Sequence, residues 1–174
     1  HGCGDGSAVT KCYRPPVARR PTYTPPLMTG SPHSSAADDL RQAMALHRAG
    51  RLREADEHYA AVLRAEPRHA QALRLRGILA RDTGNLELSL KLLRKATDAA
   101  PTDPEPTAEL GLSYLAAGYL QLAEAAFRKA LARDPDSRKA LANLGALLQY
   151  RGHVQASIDC HRRVLELDPD DLEV

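Results

Sequence analysis

The fold of this chain is decided by residues 104–137, PEPTAELGLSYLAAGYLQLAEAAFRKALARDPDS. Apolar side chains return there at steps of three and four residues, as at Ala123, Ala126 and Ala130 in its second half. Such spacing is that of one face of an α-helix. A glycine separates two apolar runs and a proline follows the second, so the stretch predicts a helix, a turn, a second helix and another turn.

The same punctuation recurs along the chain with a constant period of 34. Glycines keep this spacing at Gly50, Gly84, Gly118 and Gly152, and prolines keep it at Pro67, Pro101, Pro135 and Pro169. Glycine readily adopts the positive φ that a tight turn needs, and proline stops a helix. We therefore expect four copies of one helical hairpin, at residues 36–69, 70–103, 104–137 and 138–171.

A helical pair of this length resembles the tetratricopeptide repeat, and the match extends to individual positions. Small residues stand late in the first helix (Ala43, Gly77, Gly111, Gly145) and early in the second (Ala55, Ser89, Ala123, Ser157). A large residue follows four positions later (Tyr59, Leu93, Phe127, His161), and then Val62, Ala96, Ala130 and Val164. The aromatic residue usual at the fourth position is absent, since Asp39, Leu73, Thr107 and Leu141 stand there. The resemblance implies an all-α, right-handed superhelix of about eight antiparallel helices over residues 36–174.

Residues 1–35 differ in character from the rest of the chain. They contain closely spaced glycines and prolines, and four basic residues against one acid. Proline at this density prevents helix formation, so we expect a basic, extended tail. Cys3 and Cys12 lie within it and either pair in an oxidising compartment or remain free thiols.

The resemblance also implies a binding surface, because first helices in this family line the inside of the superhelix. The inward positions predict a groove formed by Leu40, Met44, His47, Arg74, Ile78, Arg81, Leu112, Leu115, Lys139, Asn143 and Gln149. Such a groove is basic in its N-terminal half and aliphatic beyond, and suits an extended or amphipathic segment with an apolar stripe and some acidic residues. Alternatively, Leu112 and Leu115 only complete the packing between helices.

Two specialised grooves of the family are not expected here. Leu40 and Met44 stand where the chaperone-binding type has its carboxylate-gripping Lys and Asn. The row that carries an asparagine ladder in the sugar-transferring type reads Arg41, Leu75, Glu109 and Asn143.

No catalytic or cofactor-binding motif appears in the sequence. Phosphate-binding glycine loops, H-E-x-x-H and C-x-x-C are missing, and His161 beside Cys160 is interpreted as a packed residue rather than a metal ligand. The net charge is only +2, so we expect no nucleic-acid partner, and no apolar run is long enough to span a membrane. These features favour a non-enzymatic protein-interaction module or assembly subunit, without cofactor or metal.

Two alternatives stay open. Gly2-Cys3 ahead of a tail and repeats is similar to the layout of a bacterial envelope lipoprotein of the pilotin type. In that case the protein is located in the envelope or periplasm, instead of the cytoplasm that we otherwise expect. The repeats also suit the non-catalytic region of a larger transferase or hydroxylase. The last hairpin leaves Ile158, Val164, Leu165 and Leu167 partly uncovered, which predicts contact with another copy, a partner or a continuation of the chain. The tail could also lie in a groove, its own or a neighbour's.

Overall fold

The computed structural model describes residues 35–168, in which eight α-helices and no strand occur. The helices are α1 (Ala36–Arg48), α2 (Leu52–Ala65), α3 (Ala70–Asp82), α4 (Leu86–Ala99), α5 (Pro104–Ala116), α6 (Leu120–Leu131), α7 (Arg138–Tyr150) and α8 (Val154–Leu167). They form four hairpins, α1–α2, α3–α4, α5–α6 and α7–α8, as the glycine and proline spacing predicts. The tail expected over residues 1–35 lies outside the described residues except for its last position.

Side chains cap the first turns of α1 and α5. Ser35, which the sequence places at the end of the tail, is the N-cap of α1: its Oγ accepts a hydrogen bond from the Asp38 amide at 3.2 Å, and Asp38 returns the contact. Asp103 caps α5 by accepting from the Glu105 amide at 2.9 Å. Each such cap satisfies a backbone donor that the helix leaves unpaired.

The turn inside each hairpin depends on its glycine. Gly50, Gly84, Gly118 and Gly152 have φ between 74° and 81°, whereas no non-glycine residue of the described part has positive φ. In this conformation an L side chain is strained. The four glycines therefore impose the same reversal on every hairpin, which confirms the predicted turns.

Small residues let the two helices of a hairpin approach closely. A Cβ added to Gly111 would lie 2.6 Å from Phe127 Cε1, and one added to Gly77 would lie 2.7 Å from Leu93 Cγ. Phe127 and Leu93 are completely buried. The small-to-large pairing expected from the sequence is thus confirmed.

The fourth hairpin departs from this pattern. His161 takes the place of Phe127 and lies against Gly145, where an added Cβ would be 2.8 Å from the imidazole Nε2. The Nδ1 atom of His161 is buried and has no hydrogen-bond partner. Only Ser157 and Val164 of α8 are buried, so this helix is covered on one side alone.

The hairpins stack in chain order. Each second helix packs against the first helix of the following hairpin, and α1 contacts α3, α3 contacts α5 and α5 contacts α7. No two second helices of different hairpins contact each other within residues 35–168. The first helices of neighbouring hairpins are therefore closer together than the second helices, and they form the inner side of the stack. None of the eight helices is long and apolar enough to cross a membrane.

Candidate binding groove

The inner groove is the surface formed by the first helices α1, α3, α5 and α7. Most of the predicted groove residues lie on it half-buried: Met44, His47, Arg74, Ile78, Arg81, Leu112, Leu115 and Asn143. Lys139 and Gln149 are exposed there. Leu40 is only 9% exposed and packs in the core formed with Tyr59 and Val62, so it is not available to a ligand.

Leu112 and Leu115 contribute to packing as well as to the surface. Both are half-buried and pack against the core cluster that contains Tyr114 and Phe127. The packing interpretation therefore accounts for part of each side chain, and the remainder stays accessible to a ligand.

A buried carboxylate lies in the middle of the groove. Glu109 on α5 is 4% exposed. Its Oε2 accepts a hydrogen bond from Arg81 Nη1 on α3 at 2.8 Å, and its Oε1 accepts one from Lys139 Nζ on α7 at 2.9 Å. One carboxylate therefore joins three successive hairpins, and charge-assisted bonds of this kind are among the stronger ones in proteins.

Glu105, one turn earlier on α5, completes this arrangement. It accepts a hydrogen bond from Lys139 Nζ at 3.1 Å, and Arg74 Nη1 lies 3.6 Å from it. The Glu109 cluster is the name used below for three cations and two carboxylates: Arg74, Arg81, Lys139, Glu105 and Glu109. The two arginines that the sequence places in the N-terminal half of the groove, Arg74 and Arg81, are therefore each paired with a carboxylate of α5.

The cluster shifts the pKa values of its central pair. Burial opposes ionisation of Glu109, but the hydrogen bonds from Lys139 and Arg81 outweigh it and hold the pKa of this carboxyl below its ordinary value of 4.5. Burial likewise opposes the charged form of Lys139, yet the bonds to Glu109 and Glu105 raise its pKa above 10.5. Both groups are therefore charged around neutrality.

The family model of the tetratricopeptide repeat matches residues 40–104 and 109–172. The chain belongs to the tetratricopeptide repeat family. No curated protein sequence is significantly similar to it.

Solved structures of other tetratricopeptide repeat proteins share the fold. MamA from Desulfovibrio magneticus RS-1 (residues 41 to the end) is 24% identical, with a TM-score of 0.71 over 80% of this chain and 78% of that one. YrrB, described as having an unusual peptide-binding site, is 19% identical, with a TM-score of 0.67 over 80% and 72%. PilF from Pseudomonas aeruginosa is 20% identical, with a TM-score of 0.72 over 76% and 61%. At these identities the likeness concerns the fold alone.

Neither glutamate of the cluster is among the groove residues predicted from the sequence. In the sequence Glu109 occupies a position at which the sugar-transferring type of the family has an asparagine, and Glu105 stands close to the turn between two repeats. A signal is nevertheless present, since Lys139 follows Glu105 by one full repeat. Equivalent positions of neighbouring repeats face each other on the inner side, so opposite charges at this spacing predict an ion pair.

Residues 35–168 contain no group of three His, Cys, Asp or Glu side chains able to hold a metal ion. Cys160 is half-buried, and burial together with the charge of Asp159 raises the pKa of its thiol. A thiol with a raised pKa is a poor nucleophile at neutral pH.

A second surface lies on the outer side of α8 in the last repeat. Val154 is 61% exposed, and Ile158 and Leu165 are each 44% exposed, as the uncovered last hairpin predicts for the latter two. The same expectation is wrong for Val164, which is 1% exposed because it packs within the α7–α8 hairpin.

Proposed function

We propose that this chain is a non-enzymatic protein-binding module or assembly subunit, and that its inner groove binds an extended or amphipathic segment of a partner. The carrying observation is an apolar row across all four first helices, beside the Glu109 cluster. The row consists of Met44, Ile78, Leu112 and Ala146, each one full repeat after the last. The first three are half-buried and Ala146, on α7, is exposed, so the row is most accessible at its C-terminal end.

The groove's electrostatics refine the partner's chemistry. The side chains of Glu105 and Lys139 are 41% and 40% exposed, so the surface offers one anionic and one cationic contact close together. A partner segment with an apolar stripe and charges of both signs fits it better than a purely acidic one. Its affinity should therefore depend only weakly on salt.

The family supports this class of function. Tetratricopeptide repeat proteins are generally interaction modules, and YrrB, which shares the fold, is described as having a peptide-binding site. Neither fact identifies the partner, which has to be found by binding.

Peptide selection with matched variants tests the groove. Short displayed peptides are selected on the full chain, and their dissociation constants are measured by fluorescence anisotropy. Ala146→Glu places a carboxylate in the groove, whereas Ala125→Glu makes the same change at an exposed position of α6, on a second helix. We expect Ala146→Glu to weaken binding about 10-fold or more, since a loss of about 1.4 kcal/mol suffices, and Ala125→Glu to leave it unchanged. Failure to select any peptide, or equal affinities for the two variants, contradicts groove binding.

The outer side of α8 supports a second role, in assembly. Its exposed apolar residues form a surface separate from the groove, and such surfaces commonly mark protein contacts. We propose that this face makes the contact through which the chain associates.

A further inference from the structure

The outer face of α8 occupies positions that are covered in every earlier repeat. Because the repeats keep one period, each exposed residue of α8 has three equivalents on α2, α4 and α6. Those of Val154 are Leu52, Leu86 and Leu120; those of Ile158 are Asp56, Leu90 and Glu124; those of Leu165 are Leu63, Thr97 and Leu131. All nine are half-buried or buried, and each of the three helices packs against the first helix of the next repeat. On α8 the same positions are apolar and open.

The opposite end of the stack does not complement this face. On α1 the equivalents of Ala72, Leu73 and Arg76 of α3 are Asp38, Asp39 and Gln42. Asp38 already bonds Ser35 and Arg41, and Asp39 bonds the His58 imidazole at 2.9 Å. A second copy stacked head to tail would bury these carboxylates against the apolar face, which is costly without new cationic partners. Head-to-tail stacking is therefore disfavoured.

The face of α8 complements itself instead. Val154, Ile158 and Leu165 are spaced by four and seven residues, which places them on one stripe of the helix. Asp159 and Arg162 lie beside this stripe on the same side, form an ion pair of 3.4 Å with each other, and have side chains that are 57% and 61% exposed. If two α8 helices pack antiparallel about a two-fold axis near residue 160, Val154 of one copy lies within one residue of the level of Leu165 of the other. Asp159 likewise lies within one residue of the level of Arg162 of the other copy, so each can exchange its partner within the helix for one across the axis, twice by symmetry.

We propose that the partner of this face is a second copy of the same chain, in an antiparallel α8–α8 dimer. This inference rests on the assembly role proposed above for the face and names its occupant. Each copy contributes a single helix, so the interface is at the small end of the range for specific contacts. The dimer is accordingly a reversible one, with a dissociation constant in the micromolar range.

The test measures self-association of the full 174-residue chain by sedimentation equilibrium, from about 1 to 300 µM, the range that a small interface requires. We expect a reversible dimer for the wild type. Ile158→Glu should raise the dissociation constant about 100-fold, because two isoleucines leave the interface and two carboxylates enter it. A wild-type chain that stays monomeric, or a dimer that Ile158→Glu does not weaken, overturns the proposal; the second result would show that another surface joins the copies.

Charge exchange distinguishes the antiparallel pair from other arrangements. Asp159→Arg and Arg162→Asp each place like charges opposite one another and should weaken the dimer about 10-fold. An equimolar mixture of the two variants restores both ion pairs, so it should form a heterodimer as tight as the wild type. Such rescue also requires both variants to be folded. A mixture that associates no better than the separate variants overturns the antiparallel register.

Two controls distinguish dimerisation through α8 from a general effect of charge reversal and from association through the inner groove. Arg51→Glu and Glu54→Arg reverse an equally spaced exposed ion pair at the start of α2, and neither should change the dimer, alone or mixed. Ala146→Glu, which tests the inner groove, should dimerise like the wild type. If it does not, the copies associate through the groove and the α8 proposal fails, whereas failure of peptide binding alone leaves the dimer untouched.

Discussion

Replacing Glu109 with glutamine tests how much its hydrogen bonds to two neighbouring repeats stabilise the fold. The carboxylate accepts hydrogen bonds from Arg81 at 2.8 Å and Lys139 at 2.9 Å while only 4% exposed. The amide keeps the shape but accepts through one oxygen only, and its NH₂ group faces a cation. One charge-assisted bond is lost and the other is weakened, which at roughly 1.5–3 kcal/mol per such bond gives a destabilisation of about 2 kcal/mol, after relief of the buried charge.

Urea and thermal denaturation, followed by circular dichroism, measure this loss. With an unfolding entropy of about 2.1 cal/mol/K per residue over roughly 130 residues, about 2 kcal/mol lowers the Tm by about 7 °C. Because Glu109 joins neighbouring repeats, its loss should also broaden the transition by weakening the coupling between them. Glu105→Gln is the matched control: its side chain is 41% exposed, and its exposed ion pairs predict a loss of about 0.5 kcal/mol.

The pH dependence identifies the charge as the cause. The pKa of Glu109 is lowered on folding, so its contribution is present above the unfolded value near 4.5 and is lost as the pH falls through the folded value. Wild type and Glu109→Gln should therefore differ in stability at pH 7, and the difference should shrink as the pH falls below 4.5. A Glu109→Gln protein as stable as the Glu105→Gln control at pH 7, or a difference that persists unchanged in acid, would refute the reasoning.

Two further predictions concern the repeats themselves. Gly111→Ala should destabilise the chain by about 1–3 kcal/mol in urea denaturation, because the new Cβ would lie 2.6 Å from the buried Phe127 ring; a stability equal to the wild type contradicts that packing. Cys160 should react with iodoacetamide at pH 7.5 more slowly in the folded chain than in urea, because burial raises its pKa; equal rates by mass spectrometry would show that the thiol is not shielded.

The placement of most groove residues on the first helices could be predicted, because the 34-residue period assigns every residue a position in the hairpin. Once Gly111 and Phe127 are assigned to their positions in the hairpin, every other repeat follows by adding or subtracting 34. The inward residues Ile78 and Arg81 follow in this way, and both lie on the first helices as predicted. Leu40 is not distinguished from them by the sequence, because its burial depends on how α1 packs against α2, which periodicity does not specify.

The sequence by itself determined the architecture of this protein, since glycine and proline act on the backbone locally. Positive φ at Gly118 and a helix stop before Pro135 need no distant contact, and repetition extends them to four hairpins. Only the tertiary structure decided the character of the surfaces. Arg81, Glu109 and Lys139 lie on three different hairpins and meet because hairpins stack, which pairs both cations with one buried carboxylate. The same stacking covers Leu131 and leaves Leu165 open, because burial of a side chain depends on a neighbour that its own repeat does not contain.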